Sequence, residues 1–289
     1  MENKILVTGA AGSIGSNAVK RLLELRFPVR ALVRKMDDRS DLLAALGAEV
    51  VLGDLTDFMS VSAAMKGISK VLFVYPIAPG LVEAADYIAQ SALEENVKFI
   101  VNISQRTAVR DASSHSAQSS WLAERLLDRS GVAVTHLQPT LFTDWLKYFA
   151  QTIKGNNMFI TPFGDTKFGM IDTEDIAYVA AAILADPKEH VGQTYQLYRP
   201  EEINGFDAAE ILSAALKRKI VFANLTPEAF GDILIQNGQP SYSTKHLVAV
   251  GHMFRSGGFH GMNDNVEKLS GRKPLTAKEF IDRNISLYI

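Results

Sequence analysis

Short apolar runs alternate with longer amphipathic stretches through the first half of the chain. The runs fall at 5–7, 29–35, 49–54, 71–75, 99–104 and 133–138, rich in Val, Ile and Leu and closed by glycine, proline or charge. Continuous apolar runs of this kind predict strands covered on both faces. Between them, 39–46, 60–66, 81–95 and 119–130 carry helical spacing, as does the stretch after Ser16, where Ala18, Val19, Leu22, Leu23 and Leu25 oppose Lys20, Arg21 and Glu24. Strands alternating with helices predict an α/β, doubly wound parallel sheet. Ligands of such a sheet gather at the carboxyl ends of the strands. That rule selects Arg34, Asp54, Leu55, Tyr75, Pro76, Ser104, Gln105, Pro139 and Thr140.

The second half is less regular. A helix capped by Asp172 or Thr173 leads into the apolar run 176–185. Residues 193–198 read as a strand, 207–216 as a helix and 220–222 as strand-like, and 225–228 opens another helix. A loop is expected around Gly251, Gly257, Gly258 and Gly261. We therefore expect a nucleotide-binding unit over 1–150. A smaller C-terminal α/β lobe over 151–289 is expected across the strand ends, interleaved with the first unit.

The chemistry is concentrated at the start. After strand 5–7 come Thr8 and then Gly9, Gly12, Ser13, Ile14 and Gly15 before the first helix. Strand, glycine turn and helix in that order form a pyrophosphate cradle, with free N–H groups of the first helical turn facing the anion. The next strand ends in Arg34 and Lys35, where an NAD site would carry Asp or Glu for the ribose 2′-hydroxyl. A guanidinium suits a 2′-phosphate because it donates paired, charge-assisted hydrogen bonds. Arg34 is the expected main ligand and Lys35 its helper, so NADP(H) is expected over NAD(H).

Composition narrows the rest. With 289 residues, 47% of them hydrophobic, the chain can bury a substantial core. A net charge of −2 gives no electrostatic reason to expect nucleic acid or a membrane as partner. Cysteine is absent, which excludes disulfides and thiolate chemistry. His246, His252 and His260 lack metal spacing, so no metal is expected. No signal-peptide pattern and no membrane-length apolar run appear, so a cytoplasmic protein is expected.

The segments ILVTGAAGSIG, ALVR, GDLTD, AERLLDRSGVAVTHLQPTLF, IDTEDIA, LTPEAF and NDNVEKLSGRKPLTAKEFI together resemble the NmrA-like family of atypical short-chain dehydrogenase/reductases. The resemblance implies a Rossmann-type domain binding NADP, with Asp54 and Leu55 beside the adenine. It covers reductases of quinones, azo dyes and triphenylmethane dyes, and also redox-sensing regulators without catalysis. Ordinary members of the parent superfamily carry Tyr-x-x-x-Lys on the helix after the fifth strand. Registered on Glu124, that pair falls on Ser116 and Ser120, which can replace neither phenol nor ammonium. Ser104 matches the superfamily serine.

Two readings follow. One is an NADPH-dependent oxidoreductase passing hydride to a small aromatic acceptor. The other is a nucleotide sensor that reports to a protein partner. A homodimer is compatible with either. No catalytic residue is identified; Ser104, Tyr75 and His115 are the candidates. Trp145, Tyr148 and Phe149 suit either an aromatic wall or a core face. Phe254, Phe259 and Met262 are expected to form a flexible flap.

Overall fold

The computed structural model describes residues 3–199 and 201–289. Among the described residues nine strands are formed: β1 (Ile5–Val7), β2 (Val29–Val33), β3 (Glu49–Leu52), β4 (Lys70–Val74), β5 (Phe99–Ile103), β6 (Ala133–Pro139), β7 (Met158–Thr161), β8 (Thr194–Leu197) and β9 (Val221–Asn224). Seven make one wholly parallel sheet in the order β3-β2-β1-β4-β5-β6-β8. The order reverses between β1 and β4, which is where such a sheet opens a ligand crevice.

The first helices are α1 (Ser13–Glu24), α2 (Asp38–Ala45), α3 (Phe58–Met65), α4 (Leu81–Glu94) and α5 (His115–Arg129). Each of the last four begins where the sequence supplies a cap or a permissive glycine. Asp37, Asp57 and Ser114 side chains accept backbone N–H groups of α2, α3 and α5, and Gly80 opens α4 in a left-handed conformation. Strand alternation then divides the apolar residues. Ile5, Val7, Leu72 and Val101 face one core with α1, while Leu6, Val71, Phe73 and Ile100 face another with α3 and α4. Both faces are covered, which is why the strands read as unbroken apolar runs.

The later helices are α6 (Trp145–Tyr148), α7 (Ala150–Asn156), α8 (Thr173–Ala185), α9 (Gly205–Leu216), α10 (Pro227–Gln236), α11 (Ser241–Arg255), α12 (Asn265–Ser270) and α13 (Ala277–Arg283). They divide between two cores. Ile176, Val179, Ile183 and Leu184 of α8 and Val266 of α12 pack with α1, and β8 extends the main sheet beside β6. The remainder surrounds a separate aromatic core built on the parallel pair β7–β9. Within residues 151–289, α8, β8 and α12 thus pack with the main sheet, and the other elements surround the second core.

Several elements depart from the sequence reading. Helix α5 begins at His115, not near 119, because Ser114 caps it. Gly251 and Phe254 lie inside α11 and not in a loop. A Cβ at Gly251 would sit 3.1 Å from Pro227 and 3.2 Å from Pro162, so this glycine serves close packing. Strand β7 and helix α7 were not expected, whereas α6 carries Trp145 and Tyr148 on a helix as their spacing allowed.

Candidate functional site

The glycine turn is built as its spacing requires. Gly9 takes φ +57°, and the Gly12 N–H bonds the Gly9 carbonyl at 2.9 Å. A Cβ on Gly15 would come within 2.3 Å of the Gly9 carbonyl oxygen and 2.8 Å of Ala10 Cα. Helix α1 has no side-chain cap and no acid in its first turn. Its N-terminal N–H groups and positive dipole end are thus open to an anion.

Arg34 and Lys35 stand exposed just past β2. The following acid does not compete for a ribose, because Asp37 caps α2 and pairs with Arg39 at 2.6 Å. Asp54 Oδ1 accepts from the Thr56 N–H and hydroxyl at 2.9 and 2.8 Å. Those bonds, and then the charge of Arg34, hold its carboxyl below the usual range. Leu55 packs partly buried beside them. An uncapped helix start, a cradle that a single Cβ would fill, and exposed cations without a ribose-binding acid fit a phosphorylated dinucleotide.

A largely apolar cavity of about 320 Å³ opens at the carboxyl ends of the central strands. Ile77 after β4, Gln105, Arg106 and Thr107 after β5, and Pro139 to Phe142 at the end of β6 form its floor. Trp145 and Tyr148 of α6 and His246, Leu247, Val250 and Phe254 of α11 form its roof. Of the aromatic trio, Trp145 and Tyr148 wall this cavity while Phe149 is buried in the neighbouring core. The Ser104 and Thr140 hydroxyls are buried without a hydrogen-bond partner among the described residues, so this edge keeps two uncommitted polar groups.

The positions that would hold the Tyr and Lys pair are closed off. Ser116 and Ser120 are buried, and the Gln105 amide donates to the Ser120 hydroxyl at 2.6 Å and the Ser116 carbonyl at 3.3 Å. Thr107 in turn donates to Gln105 Oε1 at 2.7 Å. A neutral amide fills the place of an acid–base pair.

Several candidates stand elsewhere than their sequence reading put them. Thr8 is fully buried, and its hydroxyl accepts from Val74 N–H at 2.8 Å and donates to the Val74 carbonyl at 2.9 Å, clipping β1 to β4. Tyr75 donates its hydroxyl to the Pro79 carbonyl at 2.6 Å and does not line the cavity. Burial, then the charges of Asp54 and Glu83, raise its pKa, so it is a poor proton donor. His115 is exposed on α5 and lies 3.3 Å from the Tyr242 hydroxyl, outside the cavity wall. Phe254 and Phe259 do line the cavity, but they stack at 4.0 Å as fixed wall. The following loop is tied down by Gly261 N–H to Glu202 and Asn263 to Gln196, and Met262 points outward. It is not a free flap.

His246 is the residue that sequence reading passed over. It is 4% exposed, lines the cavity, and has Nδ1 2.7 Å from the Ser114 hydroxyl. Burial pushes its pKa down to about 4, so the ring is neutral at pH 7. The spacing of His246, Val250 and Phe254 on one helical face was the available signal. Among the described residues no group of three or more His, Cys, Asp or Glu could hold a metal ion, and no helix is long and apolar enough to cross a membrane.

Residues 1–286 match the NmrA-like family. The NAD(P)H azoreductase of Xenophilus azovorans is 32% identical over 278 residues, 96% of each chain. The crystal structure of the NADPH-dependent quinone oxidoreductase from Escherichia coli complexed with NADPH shares the fold at TM-score 0.86 and 24% identity, over 97% of this chain and 99% of that one. Citrobacter sp. triphenylmethane reductase complexed with NADP(H) does so at 0.84 and 23%, over 96% and 99%.

Proposed function

The chain belongs to the NmrA-like family, and from that premise we propose that it is an NADPH-dependent oxidoreductase of small aromatic acceptors. The observation that carries this reading is the apolar, aromatic-walled cavity at the ends of β4, β5 and β6, where β4 is the sheet neighbour of the strand that leads into the glycine turn. Its volume lies at the lower end of the range for small-molecule sites, which suits an acceptor of one or two rings.

The residues divide the work. The N–H groups around Gly12, Ser13, Ile14 and Gly15 hold the pyrophosphate. Arg34, with Lys35, holds the 2′-phosphate. Asp54 and Leu55 border the adenine, and Tyr75, Pro76, Ser104 and Pro139 border the rest of the cofactor. Bound there, NADPH supplies the hydride. Trp145, Tyr148 and Phe254 orient the acceptor ring and exclude water, and the protein's contribution to rate is this positioning. Gln105, Ser116 and Ser120 offer no acid or base of the Tyr-Lys type, which favours acceptors whose conjugation takes up the hydride's electron pair.

The test is to mix the protein with NADPH and follow absorbance loss over a panel of quinones, azo dyes and triphenylmethane dyes. Turnover with an aromatic acceptor is expected. Tight NADPH binding with no turnover across the panel would overturn the proposal in favour of a nucleotide sensor.

A further inference from the structure

His246 sits in the roof of the cavity with one ring nitrogen committed and the other uncommitted. The Ser114 hydroxyl accepts the Ala117 N–H as cap of α5, and among the described residues its own proton has one acceptor, His246 Nδ1. Donation to Nδ1 is the arrangement that leaves the Ser114 proton paired. With Nδ1 accepting, a neutral imidazole must carry its proton on Nε2, the nitrogen with no hydrogen-bond partner among the described residues. Burial disfavours the charged ring, which keeps this donor neutral through the physiological range. A neutral imidazole N–H held in a dry site is a competent electrophile toward a developing anion. No other cavity-lining histidine exists among the described residues, and Gln105 is occupied by the two serines.

We propose that His246 is a catalytic residue, its Nε2–H donating first a hydrogen bond and then the proton to the heteroatom of a quinone or azo acceptor, with Ser114 fixing the tautomer. This rests on the aromatic-acceptor reading above. In an azo acceptor the hydride forms an N–H bond at one nitrogen. The N=N π pair moves onto the other nitrogen, which takes the Nε2 proton and completes a hydrazine. Nδ1 takes the Ser114 proton in the same movement; water then reprotonates Nε2 as Nδ1 returns its proton to Ser114, which restores the starting tautomer. A quinone likewise needs one hydride and one proton to become a hydroquinone. A cationic triphenylmethane dye needs the hydride alone, because its central carbon becomes neutral on receiving it.

That difference supplies the test. In His246→Phe, the ratio of kcat for a quinone or azo dye to kcat for a cationic dye should fall about 10²-fold, the lower end of general-acid effects. His246→Gln, which keeps an amide N–H donor and an acceptor for Ser114, should recover part of that ratio. A parallel fall for both acceptor classes would mean a structural role and overturn the proposal, as would no fall in either. A second readout does not need turnover. Ring ¹⁵N spectra of the wild-type protein at pH 7, with the His246 signals identified by their loss in His246→Gln, should show the Nε2–H tautomer and should shift when hydroquinone is added. An Nδ1–H tautomer, an imidazolium, or signals unmoved by saturating hydroquinone would overturn it. Wild-type protein that turns over no acceptor refutes the function proposed above, while the spectra still decide the role of His246.

Discussion

Replacing Gly15 by Ala adds one methyl group at the tightest point of the nucleotide turn. The new Cβ would lie 2.3 Å from the Gly9 carbonyl oxygen and 2.8 Å from Gly9 C and Ala10 Cα, all backbone atoms. No side-chain rotation relieves those contacts, so α1 must lift away from the turn or the turn must open. Overpacking typically costs about 1–3 kcal/mol, and clashes with fixed backbone place this variant near the top, at about 3 kcal/mol. For a chain of this size that lowers Tm by about 6–12 °C. The same displacement moves the N–H groups off the pyrophosphate. Loss of one or two charge-assisted bonds of about 1.5–3 kcal/mol each weakens NADPH by about 10–100-fold or more. The assay is thermal unfolding with and without NADPH, alongside a fluorescence titration of NADPH. Gly155→Ala is the internal control, since it lies in α7 with nothing within 4 Å of its added Cβ. It should be neutral or stabilise by about 0.5–1 kcal/mol. A Gly15→Ala protein that melts with the wild type and binds NADPH equally well would refute the close-approach argument.

Two further perturbations test the charges. Arg34→Ala should weaken NADPH far more than NADH, by about 10–100-fold for a charge-assisted contact of about 1.5–3 kcal/mol. Equal losses for the two cofactors in parallel titrations would remove Arg34 from the 2′-phosphate site. Denaturant unfolding from pH 7 to pH 4 should reveal two buried titrations of opposite sign. His246, lowered from 6.5 to about 4 by burial, contributes stability that is complete above pH 6.5 and is lost as pH falls toward 4. Asp175, raised from 3.8 to about 6 by burial, is penalised above pH 6 and relieved as pH falls toward 3.8. Relative to wild type, His246→Gln should therefore gain about 3 kcal/mol between pH 7 and pH 4, and Asp175→Asn should lose about 2 kcal/mol. Three parallel curves would show that neither group titrates as the fold implies.

What sequence determined here is what depends on near neighbours. The runs 5–7, 71–75 and 99–104 are apolar on both faces because helices cover both faces, so periodicity alone located β1, β4 and β5 to within a residue or two. The glycine turn was legible because Gly9, Gly12 and Gly15 meet one another within seven residues. The cations after β2 were legible because strand ends become ligand edges in a parallel sheet. The resemblance of whole segments carried the family.

What tertiary structure decided joins residues far apart in the chain. Ser114 and His246 are 132 residues apart, and only the packing of α11 on α5 makes one the partner of the other. Local spacing made His115 the visible histidine, yet capping by Ser114 turned it outward. Gly251 read as a loop because glycine usually weakens a helix, whereas here it lets α11 approach two prolines. The expected flap became a wall because Phe254 and Phe259 stack on each other, a contact that composition does not express. Backbone turns and strand order follow from short-range sterics and hydrophobic periodicity. The cavity, its neutral histidine and, apart from it, the buried Asp175 follow from which distant surfaces exclude water together, and that is settled only when the chain has closed on itself.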